Sequence, residues 1–248
     1  MSRASRALWQ TGHRTERLLV LALLALVGIQ LQMSGLADDI LSHGDDILYL
    51  SRQHIELTLI SGGLAIATGL PLGIVLSRRF MRRWAEGVMQ LLNIGTTIPT
   101  LAVLALSMTL LGIGTAPAIF ALWIASLLYI VRNTYSGLTA IPQHLQEAAY
   151  GVGMSAWQVL WQVELPNALF VIFAGIRTSL AINVGTVPLA FLVGGGGLGE
   201  LIFTGIDLND TGTMLAGAIP TALLAIAVDT LMGMAAHALI PRGVNPLR

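Results

Sequence analysis

Two ionisable side chains stand inside stretches that are otherwise apolar: Arg177 between Ala168 and Val193, and Asp229 between Thr213 and Ile240. A charge placed in hydrocarbon is costly, and it is retained where it finds a partner or serves a pathway. At roughly 1.5 Å per residue, Arg177 lies about 13 Å from the start of its stretch and Asp229 about 24 Å from the start of its own. If the two stretches run antiparallel through an apolar core roughly 30 Å thick, these depths coincide. The positions predict an ion pair between Arg177 and Asp229 with a structural role. Uncharged polar and helix-breaking residues gather near mid-depth of two other segments, as Asn93, Thr96, Thr97 and Pro99 and as Asn183, Gly185, Thr186 and Pro188. They are the candidates for a translocation pathway, because irregular helix at such depth is tolerated where it lines a cavity or is buried in protein. Hydrogen bonding and kinking between helices is the alternative use of the same residues.

Catalytic chemistry has no comparable foothold. The chain lacks a Gly-x-x-x-x-Gly-Lys-Ser/Thr phosphate loop, a His-Glu-x-x-His zinc motif and a serine nucleophile elbow. Its five histidines, at positions 13, 43, 54, 144 and 237, follow no metal-ligand spacing, so no metal site is expected. With no cysteine there is no disulfide framework. The run Gly194 to Gly199 formally satisfies Gly-x-Gly-x-x-Gly, but it follows an apolar segment instead of a strand, which removes the dinucleotide-binding context. It predicts either a flexible or closely approached backbone at the mouth of a pathway, or a helix terminator with tight packing.

The elements that must hold these residues are dictated by composition. Of 248 residues 55% are hydrophobic and only 10% charged, with a mean hydropathy of +0.77, which excludes an ordinary soluble domain and predicts an all-α polytopic membrane bundle. Apolar segments are expected at about 18–33, 55–76, 88–111, 117–131, 168–193 and 213–240, so six spans. The second carries the Gly69-Leu70-Pro71-Leu72-Gly73 run, where a break is expected. Gly35-Leu36-Ala37 also resembles a cleavage site, which would make the first segment a removable signal; a retained helix is the preferred reading.

All 13 basic residues are arginine, and apart from Arg177 they alternate by side. Arg3, Arg6, Arg14 and Arg17 precede the first segment, Arg78, Arg79, Arg82 and Arg83 follow the second, Arg132 follows the fourth, and Arg242 and Arg248 end the chain. The intervening loops hold Arg52 against Asp38, Asp39, Asp45, Asp46, Glu200, Asp207 and Asp210. The positive-inside rule therefore places both termini and the stretch 132–167 in the cytoplasm. The division follows: a tail, first span and acidic loop over 1–54, a transmembrane body over 55–240, and a cytoplasmic tail over 241–248.

Within the stretch 132–167 lies Glu147 to Pro166, EAAYGVGMSAWQVLWQVELP. It predicts a short helix that breaks at Gly151 and Gly153, a restart capped by Ser155 with Gln158 reaching back, and a stop at Leu165-Pro166, where proline opens the next span. Met154, Trp157, Val159, Leu160 and Trp161 give the second piece an apolar face, the mark of a protein partner or of a helix lying on lipid headgroups.

The spacing here is Glu147-Ala148-Ala149, three residues, Gly153, nine residues, Val163, one residue, Leu165-Pro166. It resembles the EAA signature of the membrane-spanning subunits of bacterial ABC importers, and every element of that signature is present. The resemblance implies the type I ABC importer transmembrane fold, a five-span core to which the first segment is an addition. It also implies that Glu147, Ala148, Ala149, Gly153, Trp157, Leu165 and Pro166 form a coupling helix for a separate ATPase subunit. ATP and Mg²⁺ would belong to that ATPase, with no cofactor on this chain. A second permease subunit, identical or not, and an extracytoplasmic solute-binding protein complete the implied assembly, in the bacterial cytoplasmic (inner) membrane, with no nucleic acid involved.

Thr97-Ile98-Pro99-Thr100-Leu101-Ala102, Leu111-Gly112-Ile113-Gly114, Arg132-Asn133-Thr134-Tyr135-Ser136-Gly137, Gly175-Ile176-Arg177-Thr178-Ser179 and Gly217-Ala218-Ile219-Pro220 narrow the likeness. Together they resemble the permeases of the glycine betaine, carnitine and choline importers. Importers of methionine or another small amino acid, and an autonomous channel or secondary transporter, are the alternatives. No aromatic cage for a quaternary ammonium group is visible in the sequence, which points to selectivity residing mainly in the separate binding protein.

Overall fold

The structure is a computed structural model that describes residues 35–240 and 243. The expected first segment at 18–33, and with it the choice between a retained helix and a signal, lies outside the described residues.

After a short helix α1 (Leu36–Ser42) the chain enters α2 (Gly44–Leu76), whose 33 residues are long enough to exceed the bilayer core. It begins earlier than the apolar pattern predicts, because Arg52 and Glu56 are carried on its exposed face as an i,i+4 ion pair of 3.0 Å. Pro71 sits inside α2 without ending it, so the break expected at 69–73 does not occur. The glycines there serve packing instead: a Cβ on Gly73 would come within 2.6 Å of Thr134, and one on Gly69 within 2.9 Å of Ile130. Small residues let two membrane helices approach closely, and α2 lies along α5 (Thr115–Thr139) in this way.

Between them the expected third span is broken. Helix α3 (Arg82–Thr97) and helix α4 (Thr100–Leu111) meet at 97° across Ile98-Pro99. The residue before a proline is driven out of helical geometry, and Ile98 is extended at ψ 123. At about 18 Å, α4 cannot cross a bilayer alone.

Helix α5 continues past the predicted end at Val131 to Thr139, so the start of the stretch 132–167 belongs to a span. Helix α6 (Gln143–Gly151) follows. Then α7 (Ala156–Val159), a π-helical turn (Leu160–Glu164), α8 (Leu165–Thr186) and a 3₁₀ segment (Val187–Val193) form one rod, Ala156–Val193. The stop expected at Leu165-Pro166 is therefore absent: a π turn directly before the proline carries the helix across it. A helical hairpin not foreseen from the sequence, α9 (Gly199–Asp207) against α10 (Thr211–Leu239), ends the described chain.

Among the described residues there is no strand. Of the described residues, four helices are long and apolar enough to span, or five if α3 and α4 count as one bent crossing. Helix α5 is the centre, packing on α2, α8 and α4. Leu104, Leu122, Val187 and Ala190 form one core cluster, and Ala65, Ile130, Ile172 and Ile176 another.

Candidate coupling surface and intramembrane polar sites

The segment Glu147 to Pro166 adopts a shape that its residue types explain one by one. Glu147 is exposed on α6 and accepts a hydrogen bond of 2.7 Å from Gln143 Nε2. Ala148 is exposed while Ala149 turns inward and is buried. The helix ends in a Schellman motif: Met154 N–H donates to Ala149 O at 3.1 Å and Gly153 N–H to Tyr150 O at 2.9 Å. That motif requires the left-handed region at the intervening residue, and Gly153 has φ +88. Ser155 then caps α7 in a capping box, with its N–H donating to Gln158 Oε1 at 2.8 Å and Gln158 N–H donating to Ser155 Oγ.

From this corner the rod presents two faces. Val159, Leu160 and Glu164 are buried, with Leu160 packed among Leu138, Ile141 and Ala168. Trp157 and Trp161 point outward, 67% and 54% exposed, with their rings edge to face at 5.6 Å. Tyr150 and Val152 extend the same exposed character across the corner. Leu165 and Pro166 are half-buried and belong to the rod.

One buried acid of this segment was not singled out from the sequence. Glu164 Oε2 lies 2.7 Å from Arg78 Nη1, a close ion contact not aligned as a hydrogen bond, at the residue where the chain leaves α2. Arg78 also donates from Nε to Ile74 O and to Ser77 Oγ. Its apparent role in the charge pattern, as one of four loop arginines, hides this contact; the only sequence signal is an acid flanked by Val163 and Leu165 on an inward face.

In the bundle, Arg177 and Asp229 are joined by two parallel bonds, Nε to Oδ1 and Nη2 to Oδ2, a fork geometry between α8 and α10. The other polar candidates separate. Asn183 is buried, and its amide donates to Ser61 Oγ at 3.0 Å and Ser126 Oγ at 2.6 Å, bridging α2, α5 and α8. Pro188 is buried in the 3₁₀ segment, and the Thr186 hydroxyl donates to Ile182 O. Asn93, Thr96 and Thr97 lie toward the end of α3, where the Thr97 hydroxyl donates to Ile94 O at 2.7 Å, and Pro99 is exposed at the bend.

The buried His54 was not among the candidates either; its Nε2 lies 3.0 Å from Val184 O, another α2 to α8 contact. Next to it the glycine run is held firmly, since Gly197 N–H donates to Gln53 Oε1 at 3.0 Å and Gly194, Gly196 and Gly197 all have positive φ. A Cβ on Gly195 would lie 2.8 Å from Ala118. The run is closely packed, and Gly194 ends the 3₁₀ segment in the left-handed region.

Comparison with known proteins agrees with this architecture. The chain is 54% identical over 199 residues to the osmoprotectant import permease protein OsmY of Salmonella typhimurium, covering 80% of this chain and 84% of that protein. It is 41% identical over 207 residues to the choline transport system permease protein OpuBB of Bacillus subtilis, covering 84% and 94%. Among solved structures, the MetNI methionine ABC transporter in inward-facing conformations matches with a TM-score of 0.70 at 24% identity, over 79% of this chain and 96% of that one, a likeness of fold. Residues 69–241 match the family described as binding-protein-dependent transport system inner membrane component. The chain belongs to that family of multi-pass inner-membrane transport components.

Proposed function

We propose that this chain is the membrane-spanning permease subunit of an ATP-driven importer for compatible solutes of the glycine betaine, carnitine and choline class. The observation that carries this reading is the corner formed by α6 and α7. Its exposed Tyr150, Val152, Trp157 and Trp161 offer an apolar docking surface, and α7 is continuous with a rod that runs through the bundle to Val193. A push delivered there moves a whole span. The relatives at 54% and 41% identity, which are permeases of osmoprotectant and choline transport, supply the solute class.

In this reading the corner faces the cytoplasm, as do both termini, and docks a separate ATPase that holds ATP and Mg²⁺. A second permease copy or homologue and an extracytoplasmic binding protein complete the importer. Glu147, exposed and oriented by Gln143, meets the ATPase at the rim of the contact.

Co-purification with the ATPase subunit, followed by uptake in proteoliposomes, tests it. Gly153→Ala forces a side chain into the left-handed region, costing about 1–2 kcal/mol, and is expected to weaken the complex. Gly153→Trp is expected to abolish ATP-dependent uptake. If both variants bind the ATPase and transport like wild type, the coupling assignment fails.

A further inference from the structure

The ion pair between Arg177 and Asp229 is not sealed in the bundle. The two side chains remain 46% and 42% exposed, a poor arrangement if they faced lipid tails, since charge at such depth belongs beside water, a partner or a ligand. Arg177 lines a cavity of about 390 Å³ between α8 and α10, within the roughly 300–1,000 Å³ typical of small-molecule sites, and Asp229 stands behind it as its partner.

Each helix contributes one stripe to the cavity. Phe170, Phe173 and Arg177 follow helical spacing on α8, and Gly233 and Ala236 lie beyond Asp229 on α10, next to His237. Gly233 leaves room beneath the guanidinium: a Cβ there would stand 3.6 Å from Arg177 Nη1. The pair engages Nε and Nη2 of Arg177, so Nη1 keeps its donors directed at other company. The wall thus offers N–H donors and two aromatic rings within one small volume, with the Asp229 carboxylate adjoining it through Arg177.

We infer that this cavity is a transit site on the permease for a small zwitterion carrying a carboxylate and a quaternary ammonium group. The carboxylate is received by Arg177 Nη1, and the ammonium group by the faces of Phe170 and Phe173 and the field of Asp229. A net-neutral pair with both poles exposed complements a zwitterion better than a simple cation or anion, because each pole of the ligand meets its opposite. This inference rests on the compatible-solute reading above and adds a site on this chain to it.

The test is saturation-transfer NMR with glycine betaine on the detergent-solubilised permease–ATPase complex, without the binding protein. Wild type is expected to give a saturable signal from the trimethylammonium protons. Choline, which has the ammonium group but no carboxylate, should compete about 10-fold less well, the loss expected for one charge-assisted hydrogen bond. Gly233→Leu, whose added bulk enters the cavity, should remove the signal. The paired change Arg177→Gln with Asp229→Asn, which keeps an amide bridge between the helices, should bind betaine and choline alike.

Absence of a saturable signal in wild type, its survival in Gly233→Leu, or equal competition by choline would each overturn the site. ATP-driven uptake by the complete wild-type importer separates the two levels. Uptake of glycine betaine with no signal in the cavity removes only the site, whereas failure to take up any compatible solute removes the functional reading on which it rests.

Discussion

Asp210 shows how single side chains set the edges of this bundle. It stands before α10 and accepts hydrogen bonds from the Thr213 hydroxyl at 2.6 Å and from the Gly212 N–H at 2.9 Å. These bonds, that of the Thr213 side chain foremost, hold its carboxyl below the ordinary value of 3.8. A carboxyl whose folded pKa is depressed contributes stability that is present above the unfolded value and is lost as pH falls through the folded one. Thermal unfolding from about pH 5 to about pH 3 should therefore steepen in wild type relative to Asp210→Asn, which keeps an N-cap acceptor but does not titrate. Equal slopes would show that Asp210 is not the titrating cap. At this scale the sequence was legible wherever a residue type has one local use: Ser155 with Gln158 for a capping box, Gly153 for a helix end. Glu164 was not, because its use depends on Arg78, which is remote in the chain and adjacent only in the fold.

Between elements, Arg78 and Glu164 tie the end of α2 to the π turn beneath the α6–α7 corner. Glu164 has only 7% of its side chain exposed, so removing Arg78 strands its charge in a poorly hydrated place. Arg78→Ala should destabilise by about 3 kcal/mol, the low end for breaking a buried ion pair by removing one partner, and Glu164→Ala by less, because Arg78 keeps its bonds to Ile74 O and Ser77 Oγ. The double variant should cost clearly less than the sum, and a thermal or denaturant double-mutant cycle in detergent measures that difference. Additive losses would mean that the two elements are held together by packing alone. Helix boundaries also belong to this scale. Hydropathy marked the segment 88–111 as one span, yet Pro99 turns it through 97°. Conversely, Pro166 looked like a boundary and lies within a continuous rod. A proline states that one hydrogen bond is missing; whether the chain bends sharply or absorbs the loss in a π turn depends on what packs around it.

For the molecule as a whole, the close approach of α2 to α5 is the decisive packing event, because every other span leans on α5 or on its neighbours. Gly73→Leu would drive a side chain into Thr134 and the Val131 carbonyl. The expected loss is about 1–3 kcal/mol from overpacking, read as a lower unfolding temperature of the detergent-solubilised protein. Gly63→Leu, at a position with open space around its Cβ, is the control and should change little. Composition, charge alternation and the EAA spacing were enough, without coordinates, to identify a helical membrane protein, most of its apolar segments and the family. Hydrocarbon admits few solutions, and a long apolar helix declares itself by composition alone. The same sequence could not reveal that the motifs around Asn133 and Gly175 pack on each other, that the glycine run is clamped by Gln53, or that Arg177 lines a cavity flanked by Phe170 and Phe173. Those facts join residues from different helices, and their register is decided by which small side chains let which backbones meet, a property that exists only once the helices are packed.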